Sequence, residues 1–238
     1  MEGGTPGGRR AAGAIMEPLA AVIFDMDGVL VDSEPLHFRA VREILASHGA
    51  TYTERDNQAF FGATDAELFR ILRIIHNLEP STEALVLEKT DALVRLIRAE
   101  PRPLPGVPAI PRRLRVQGVP LGLASSSVRP LIDATLDVLG LADCFAAIVS
   151  GEELLRGKPA PDVYLLAARR LGLAPAACLA VEDSRNGVLA AKAAGMACVA
   201  IPCPATREQE LSEADLVLAT LEAFPEALAS LSTPARRS

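Results

Sequence analysis

The sequence predicts an α/β protein with a Rossmann-like, doubly wound parallel sheet and an all-helical segment inserted after the first strand. Two observations predict this class. From residue 119 onward, short apolar runs alternate with segments of helical periodicity, as in parallel sheets that carry helices on both faces. Between Ser33 and Ala99, by contrast, apolar residues recur only at helical spacing. One apolar strand, Ala21–Phe24, precedes this segment, so the helices interrupt the sheet.

The inserted helices divide the chain into a core and a cap. The predicted core comprises residues 17–32 and 105–231, and the predicted cap, called the helical block below, comprises residues 33–104. Pro101, Pro103 and Pro105 break the last helix of the block. Residues 1–16 are rich in glycine and are expected to form a flexible tail, and residues 232–238 a second tail. Because two linkers join the block to the core, we expect it to open and close over the strand ends.

The remaining elements follow in chain order. In the helical block, three apolar stripes predict helices, and they comprise Leu36-Ala40-Ile44-Leu45, Leu68-Ile71-Leu72-Ile75 and Leu85-Leu93-Leu96-Ile97. In the core, apolar runs predict strands at Val119–Ala124, Ala147–Val149, Cys178–Val181, Ala197–Ile201 and Leu216–Leu218. Helical periodicity predicts core helices at Pro130–Leu139, Val163–Leu171, Asn186–Ala194 and Leu221–Leu231.

The composition restricts the partners and the compartment of the chain. A formal charge of −6 without a basic stretch argues against a nucleic-acid surface. No apolar run approaches the ~20 residues of a membrane helix, so we expect no membrane partner. The four cysteines show no metal-ligand pairing and are interpreted as buried free thiols, which indicates a reducing, cytoplasmic location. Without heptads or a surplus apolar stripe, a monomer is expected.

Two carboxylates follow the first strand directly. Asp25 and Asp27 lie two residues apart, and Gly28 supplies a tight turn just beyond them. Open α/β sheets bind ligands at this edge, where the strands end. Because close carboxylates repel, the pair implies a cation, a proton, or a division of labour between an acid and a nucleophile. Asp and Gly also favour solvated turns, so this segment alone leaves both interpretations open.

A triple serine closes the second core strand. The hydroxyls and amides of Ser125, Ser126 and Ser127, ahead of a predicted helix, are suited to binding a phosphate. Serine is also a preferred helix N-cap, which is the alternative interpretation. A cap needs one serine and not three, so the segment favours phosphate binding.

Lys158 stands between rigid residues in the segment Gly157-Lys158-Pro159. The chain has only three lysines among its 24 basic residues, so a lysine held next to a proline is an unusual choice. Its compact ammonium could neutralise neighbouring carboxylates or a phosphoryl oxygen. As an exposed residue before a helix it would be unremarkable, and the segment alone leaves the two interpretations open.

A second acidic pair, Glu182 and Asp183, ends another predicted strand. Together with Asp25 and Asp27 it brings four carboxylates to one sheet edge. So much negative charge is difficult to keep ionised without a divalent cation and a lysine. Oxygen ligands without His or Cys select Mg²⁺ over zinc. This convergence is more specific than any single segment.

In their order along the chain, these motifs resemble the signature motifs of the haloacid dehalogenase superfamily. The resemblance covers residues 19–230, and its four motifs are Asp25-x-Asp27-Gly28, Ser125, Lys158 and Glu182-Asp183. The helical block is similar to the small cap of one subfamily. The segment from Asp25 to His37 further resembles the branch that holds β-phosphoglucomutases and sugar-phosphate phosphatases.

The resemblance implies a role for each of these residues. Asp25 would attack phosphorus and form an aspartyl-phosphate, while Asp27 would protonate the leaving oxygen and then activate water. The implied Mg²⁺ ligands are the Asp25 carboxylate, the Asp27 backbone carbonyl, Asp183, and Glu182 directly or through water. The implied phosphate-binding groups are Ser125, the Ser126 amide and Lys158.

These residues favour a Mg²⁺-dependent phosphatase that hydrolyses a small phosphorylated metabolite, a sugar phosphate. The alternative is a phosphosugar mutase, because His37 matches a cap histidine of the β-phosphoglucomutases and Arg95 falls near a cap lysine that they use. Against the mutase, the segment after Gly62 lacks the arginine of that family. A third reading, a module that only binds a phosphometabolite, would have no use for both a nucleophile and an acid.

Overall fold

The computed structural model describes residues 19–60 and 62–231, so both predicted tails lie outside the described residues. Its centre is a parallel sheet of six strands, β1 to β6, which are Ala21–Phe24, Leu121–Ala124, Ala147–Val149, Cys178–Glu182, Ala197–Ala200 and Leu216–Val217. The spatial order is β3-β2-β1-β4-β5-β6. From β1 the chain first builds one side of the sheet and then crosses to β4 on the other side. The ends of β1 and β4 therefore flank the crevice where such sheets bind ligands.

Helices cover the sheet and form the insertion. In chain order, α1 to α9 are Glu34–Ser47, Glu54–Ala59, Asp65–His76, Thr82–Ala99, Ala109–Val116, Arg129–Leu139, Asp162–Leu171, Arg185–Ala193 and Phe224–Leu231. The helix α5, which contains Pro111, was not among the helices predicted from the sequence. Pro111 is tolerated because it lies in the first turn, where its missing N–H would have no helical partner. Among the described helices, none is long and apolar enough to cross a bilayer.

Both faces of the sheet are buried, as the continuous apolar strands predict. Along β1, Val22 and Phe24 pack into one hydrophobic cluster. Ala21 and Ile23 face the other cluster, on the opposite side of the sheet. This alternation follows from the two-residue period of a strand. The predicted doubly wound α/β fold is confirmed.

The helical block has an apolar cluster of its own, which includes Leu45, Phe69 and Leu93. The prediction for α3 was partly wrong, because Phe69 is buried while Ile75 is 63% exposed. Burying the larger aromatic ring removes more apolar area from water. The cluster also contains Leu131 of α6, so the block packs directly on the core.

The two linkers between block and core lie side by side. The Asp32 amide donates to the Arg102 carbonyl at 2.9 Å, and the Leu104 amide donates to Leu30 at 3.2 Å. The Arg102 guanidinium also contacts the Asp32 carboxylate at 3.1 Å. The chain thus leaves and re-enters the core at one point, next to the end of β1.

Candidate active site

Asp25 and Asp27 lie at the centre of the sheet edge. The Asp25 amide donates to the Val181 carbonyl at 2.9 Å, which extends the β1–β4 ladder and fixes the backbone at this point. Gly28 adopts a φ of +80°, and a Cβ at this position would overlap the Asp183 carboxylate. Glycine is therefore needed both for the turn and for the close approach of the second acidic pair.

Two serines hold the Asp27 carboxylate. Ser33 donates to Asp27 Oδ1 at 2.6 Å, and Ser127 donates to Oδ2 at 2.8 Å. Ser33 precedes α1 but makes no side-chain cap bond, because its hydroxyl is turned to Asp27. Sequence reasoning did not single out Ser33 for this contact, and the only signal was a helix-start serine close to the acidic pair. Asp27 is thereby oriented from both the helical block and the core.

Lys158 lies beside Asp25, with its side chain 9% exposed. Its Nζ donates to Asp25 Oδ1 at 2.7 Å, to Glu182 Oε1 at 2.5 Å and to the Ala124 carbonyl at 3.3 Å. Burial by itself lowers the pKa of Lys158, but the carboxylates of Asp25 and Glu182 raise it above its ordinary value. The ammonium therefore stays charged at the end of β1.

Glu182 is fully buried, and protein donors surround both of its oxygens. Oε1 accepts from Lys158 and from the Tyr164 hydroxyl at 2.6 Å. Oε2 accepts from the Asp183 amide at 3.1 Å and from Ser184. A Cβ at Gly187 would overlap this carboxylate, so a glycine makes room for it. Glu182 thus holds Lys158 in place, with Tyr164 as a partner that sequence reasoning missed.

An acidic triad is suited to holding a cation. Asp25, Glu182 and Asp183 are all buried, and each offers an oxygen within 4.8 Å of the others. Burial raises the pKa of Asp25 well above its ordinary value, against the opposing effect of Lys158. Burial, followed by the charge of Glu182, raises the pKa of Asp183 to about 7. Buried carboxylates are costly to keep ionised, and a divalent cation bound between them would stabilise their charge. Oxygen ligands of this kind are those that hard divalent cations prefer.

The three consecutive serines differ in exposure: one is buried and two line a cavity. Ser125 is fully buried, and its hydroxyl accepts from the Ser127 amide at 3.0 Å. Ser126 is exposed and, with Ser127 and Lys158, lines a cavity of about 560 Å³. Of the predicted phosphate-binding residues, Ser126 and Lys158 therefore line this cavity, while Ser125 is buried and hydrogen-bonded to the backbone of Ser127.

The helical block forms the opposite wall of the cavity. His37, Thr64, Asp65 and Val86 face Ser127 and Lys158 across it. The cavity has the size of a small-metabolite site, since such sites measure roughly 300–1,000 Å³. His37 is thus at the cleft, as the resemblance implied.

The buried cation beside His37 is Lys89, which lines a smaller neighbouring cavity within the helical block. Arg95, the other cap residue named from the sequence, has 69% of its side chain exposed and lies 3.8 Å from Glu43, away from His37. Lys89 lies almost two helical turns earlier on α4 and is 2% exposed. Its Nζ donates to Asp65 at 2.5 Å and to His37 Nδ1 at 2.9 Å. Burial, with the adjacent Lys89 charge, lowers the pKa of His37 to about 4, so the imidazole is neutral.

These features define a class: an α/β protein with two carboxylates, a buried lysine and an acidic triad at the carboxyl ends of its strands. Comparison with known proteins identifies the family. A sequence model of the haloacid dehalogenase-like hydrolases matches residues 19–195. The chain belongs to this family, which confirms the predicted resemblance and the prediction of a hydrolase.

Similar proteins include phosphatases and relatives of phosphosugar mutases. Hexitol phosphatase B of Escherichia coli K12 is 36% identical over 208 residues, covering 85% of this chain and 93% of that protein. Two solved structures each superpose with a TM-score of 0.76. CbbY from Rhodobacter sphaeroides, bound to phosphate, is 30% identical over 85% of this chain and 94% of its own. A putative β-phosphoglucomutase from Thermotoga maritima is 31% identical over 89% and 99%.

Proposed function

We propose that the protein is a Mg²⁺-dependent phosphatase that hydrolyses a small sugar phosphate through an aspartyl-phosphate. One observation carries the proposal: Asp25 and Asp27 share a strand end but have different surroundings. Asp25 is buried and paired with Lys158 at 2.7 Å, whereas Asp27 is held by two hydroxyls. Two carboxylates in unlike environments can divide the roles of nucleophile and acid.

In the first step, a carboxylate oxygen of Asp25 attacks phosphorus in line with the ester oxygen. The bond from Asp25 to phosphorus forms as the bond to the ester oxygen breaks. The Asp27 carboxyl group acts as the general acid and passes a proton to the departing alkoxide. Ser33 and Ser127 keep the Asp27 carboxyl group aimed at that oxygen.

In the second step, water attacks the phosphorus of the aspartyl-phosphate. Asp27, now a carboxylate, takes a proton from this water, and the Asp25 carboxylate leaves as inorganic phosphate forms. The Lys158 ammonium, with the hydroxyl and amide groups after β2, faces the phosphoryl oxygens. In both steps, positioning and charge complementarity supply most of the rate.

The proposed Mg²⁺ ligands are the carboxylates of Asp25 and Asp183 and the backbone carbonyl of Asp27. When bound, the ion neutralises charge on the phosphoryl oxygens and orients them. Glu182 contributes through water, because its oxygens already accept hydrogen bonds from Lys158, Tyr164 and backbone amides. The three buried carboxylates of the triad, opposed by a single ammonium, support this assignment.

The helical block, residues 33–104, is proposed to act as a cap that selects the rest of the substrate. Beside His37 it contains a second cavity of about 90 Å³, lined by Glu34, Tyr52 and Asn57 among others. Asn57 donates to Glu34 at 3.2 Å and accepts from the Tyr52 hydroxyl. Carboxylate, amide and hydroxyl groups in so small a space suit the hydroxyls of a sugar or sugar alcohol.

The first test is hydrolysis of p-nitrophenyl phosphate and a panel of sugar and sugar-alcohol phosphates. We expect activity with Mg²⁺, none in excess EDTA, and loss of at least ~10³-fold in Asp25→Asn, because a nucleophile is removed. Asp27→Asn should lose the ~10²–10⁴-fold of a general acid and base. Full activity of Asp25→Asn, or in EDTA, contradicts the mechanism.

A mutase is the second candidate, because Lys89 supplies a cationic residue next to His37, 2.9 Å from its Nδ1. The charge of Lys89 is compensated by Asp65 at 2.5 Å. This pairing weakens the attraction of Lys89 for a second phosphate group, which favours the phosphatase over the mutase. The products of β-glucose 1-phosphate, with and without glucose 1,6-bisphosphate, distinguish the two. Free glucose and phosphate support a phosphatase, and glucose 6-phosphate supports a mutase. Tight binding of these esters without turnover would instead indicate a non-catalytic module.

A further inference from the structure

The Asp183 carboxylate is hydrogen-bonded to a loop that lies outside the four family motifs. The Ile201 amide, at the end of β5, donates to the Glu182 carbonyl at 2.7 Å. The chain then enters a turn that runs from Cys203 to Thr206, where the Thr206 amide donates to the Cys203 carbonyl at 3.1 Å. Extension of the β4–β5 pairing therefore brings this turn against the acidic triad.

Two side chains of this turn donate to the same oxygen of Asp183. The Thr206 hydroxyl lies 3.1 Å from Asp183 Oδ2, and the Cys203 thiol lies 3.3 Å from it. The Thr206 hydroxyl also accepts from the Cys203 amide at 3.0 Å, and the Asp183 carboxylate is a closer and stronger acceptor for its proton than the Cys203 sulfur at 3.4 Å. Both residues are buried, with 5% and 8% of their surface exposed.

The opposite side of this oxygen is closed as well. Gly28 approaches Asp183 so closely that a Cβ would overlap Oδ2. Oδ2 therefore has two donors on one side and the Gly28 backbone on the other. Oδ1 is the oxygen left for a cation, and the carboxylate cannot rotate without breaking both hydrogen bonds.

We infer that Thr206 and Cys203 are positioning residues for the proposed metal ligand Asp183, and that they set the affinity of the site for Mg²⁺. The inference rests on the proposed function, because it requires Asp183 to bind the ion. Partners that orient a ligating carboxylate typically change metal affinity by ~10–100-fold. Thr206 carries the larger share, since a hydroxyl is a stronger donor than a thiol.

The test is calorimetric titration of the metal-free protein with Mg²⁺, without substrate. Thr206→Val keeps the shape of the side chain and removes the donor, and we expect Kd to rise ~10-fold or more. Thr206→Ser restores a hydroxyl and should return Kd to near the wild-type value. Cys203→Ala should raise Kd less, by ~2–3-fold. In turnover, Thr206→Val should need more Mg²⁺ for half-maximal rate, while kcat at saturating Mg²⁺ changes little.

Thr135→Val is the matched control, because it makes the same change at a buried hydroxyl that has no hydrogen-bond partner in the described part of the chain. Its Kd should equal that of the wild type. Wild-type affinity in Thr206→Val overturns the inference and leaves the proposed function intact. Absence of Mg²⁺ binding in the wild type overturns the proposed metal site and this inference with it. If Thr206→Val does not fold, a Kd of Cys203→Ala equal to that of the wild type also overturns the inference.

Discussion

The core and the helical block each contain a buried lysine near the cleft, and the surroundings of the two lysines differ. Lys158 is on the core side, between Asp25 and Glu182 at the sheet edge. Lys89 is on the helical block, between His37 and Asp65. The first ammonium adjoins the proposed nucleophile, whereas the second donates to two residues of the block.

The comparison suggests a division of labour. The core residues follow strands whose ends are fixed by the backbone ladder, so their geometry is independent of the substrate's identity. The block residues come from three different helices that pack together and rest on α6. We therefore expect changes on the core side to affect every substrate alike, and changes on the block side to affect the choice among substrates.

Among the variants that test this comparison, Lys158→Met is expected to lose the most activity. The variant removes the charge beside Asp25, and we expect kcat to fall by ~10²–10³-fold for p-nitrophenyl phosphate and sugar phosphates alike. Stability should also decrease, because two buried carboxylates lose their partner. Activity is therefore compared per folded molecule, with circular dichroism as the check. A loss of activity with only one substrate would contradict the expectation that core residues affect every substrate alike.

Lys89→Met should give a smaller and selective effect. Asp65 is 37% exposed at its side chain, so it stays hydrated when its partner is removed. We expect kcat/KM to fall by ~10-fold for the preferred sugar phosphate and by less than ~3-fold for p-nitrophenyl phosphate, because one charge-assisted hydrogen-bond pair is lost. Lys192→Met, at a lysine paired with Asp215 away from the cleft, serves as the control. Equal losses of kcat/KM for both substrates would indicate that Lys89 contributes to phosphoryl transfer and not to the choice of substrate.

The sequence predicted the core side almost completely, since its residues follow recognisable strands and lie in short motifs. Asp25, Asp27, Lys158 and Asp183 are at the predicted edge. On the block side it predicted His37 but not Lys89, because the two residues are 52 positions apart and only helix packing brings them together. Tyr164 and Thr206 were missed for the same reason, as each resembles an ordinary residue of a helix or a turn. Arg95 was chosen by position along α4, whereas the helical face decides which cation points inward.

Acid stability provides a third test, on the block side. The pKa of His37 is lowered to about 4 from its ordinary value of 6.5, so folding disfavours its protonation. The resulting penalty is absent above pH 6.5 and grows as the pH falls toward 4, up to about 3 kcal/mol. We expect His37→Gln to lose less stability than wild type between pH 7 and pH 4.5 in urea unfolding.

His76→Gln, a matched change elsewhere in the block, should retain the wild-type pH dependence. The buried carboxylates of the core titrate equally in all three proteins, so the difference isolates His37. Identical pH dependence in His37→Gln and wild type would contradict a neutral, enclosed imidazole.

The smallest effect is expected from Arg95→Ala. Its guanidinium is 3.8 Å from Glu43 and largely exposed, and surface pairs of this kind contribute ~0–1 kcal/mol. We expect kcat/KM within ~2-fold of wild type for every ester in the panel. A substrate-specific loss would show that the block rotates to bring Arg95 into the cleft during turnover.

The most direct measurement of the central claim, that the core side performs covalent chemistry at Asp25, is acid quenching during turnover followed by peptide mass spectrometry. The wild-type protein and the Asp27→Asn variant are each mixed with a phosphate ester that the enzyme hydrolyses, and the samples are then quenched with acid and digested. The account predicts a phosphoryl group on the peptide containing Asp25, removable by hydroxylamine, and absent in Asp25→Asn. Phosphate release with no phosphorylated peptide, or phosphorylation at another residue, would contradict it.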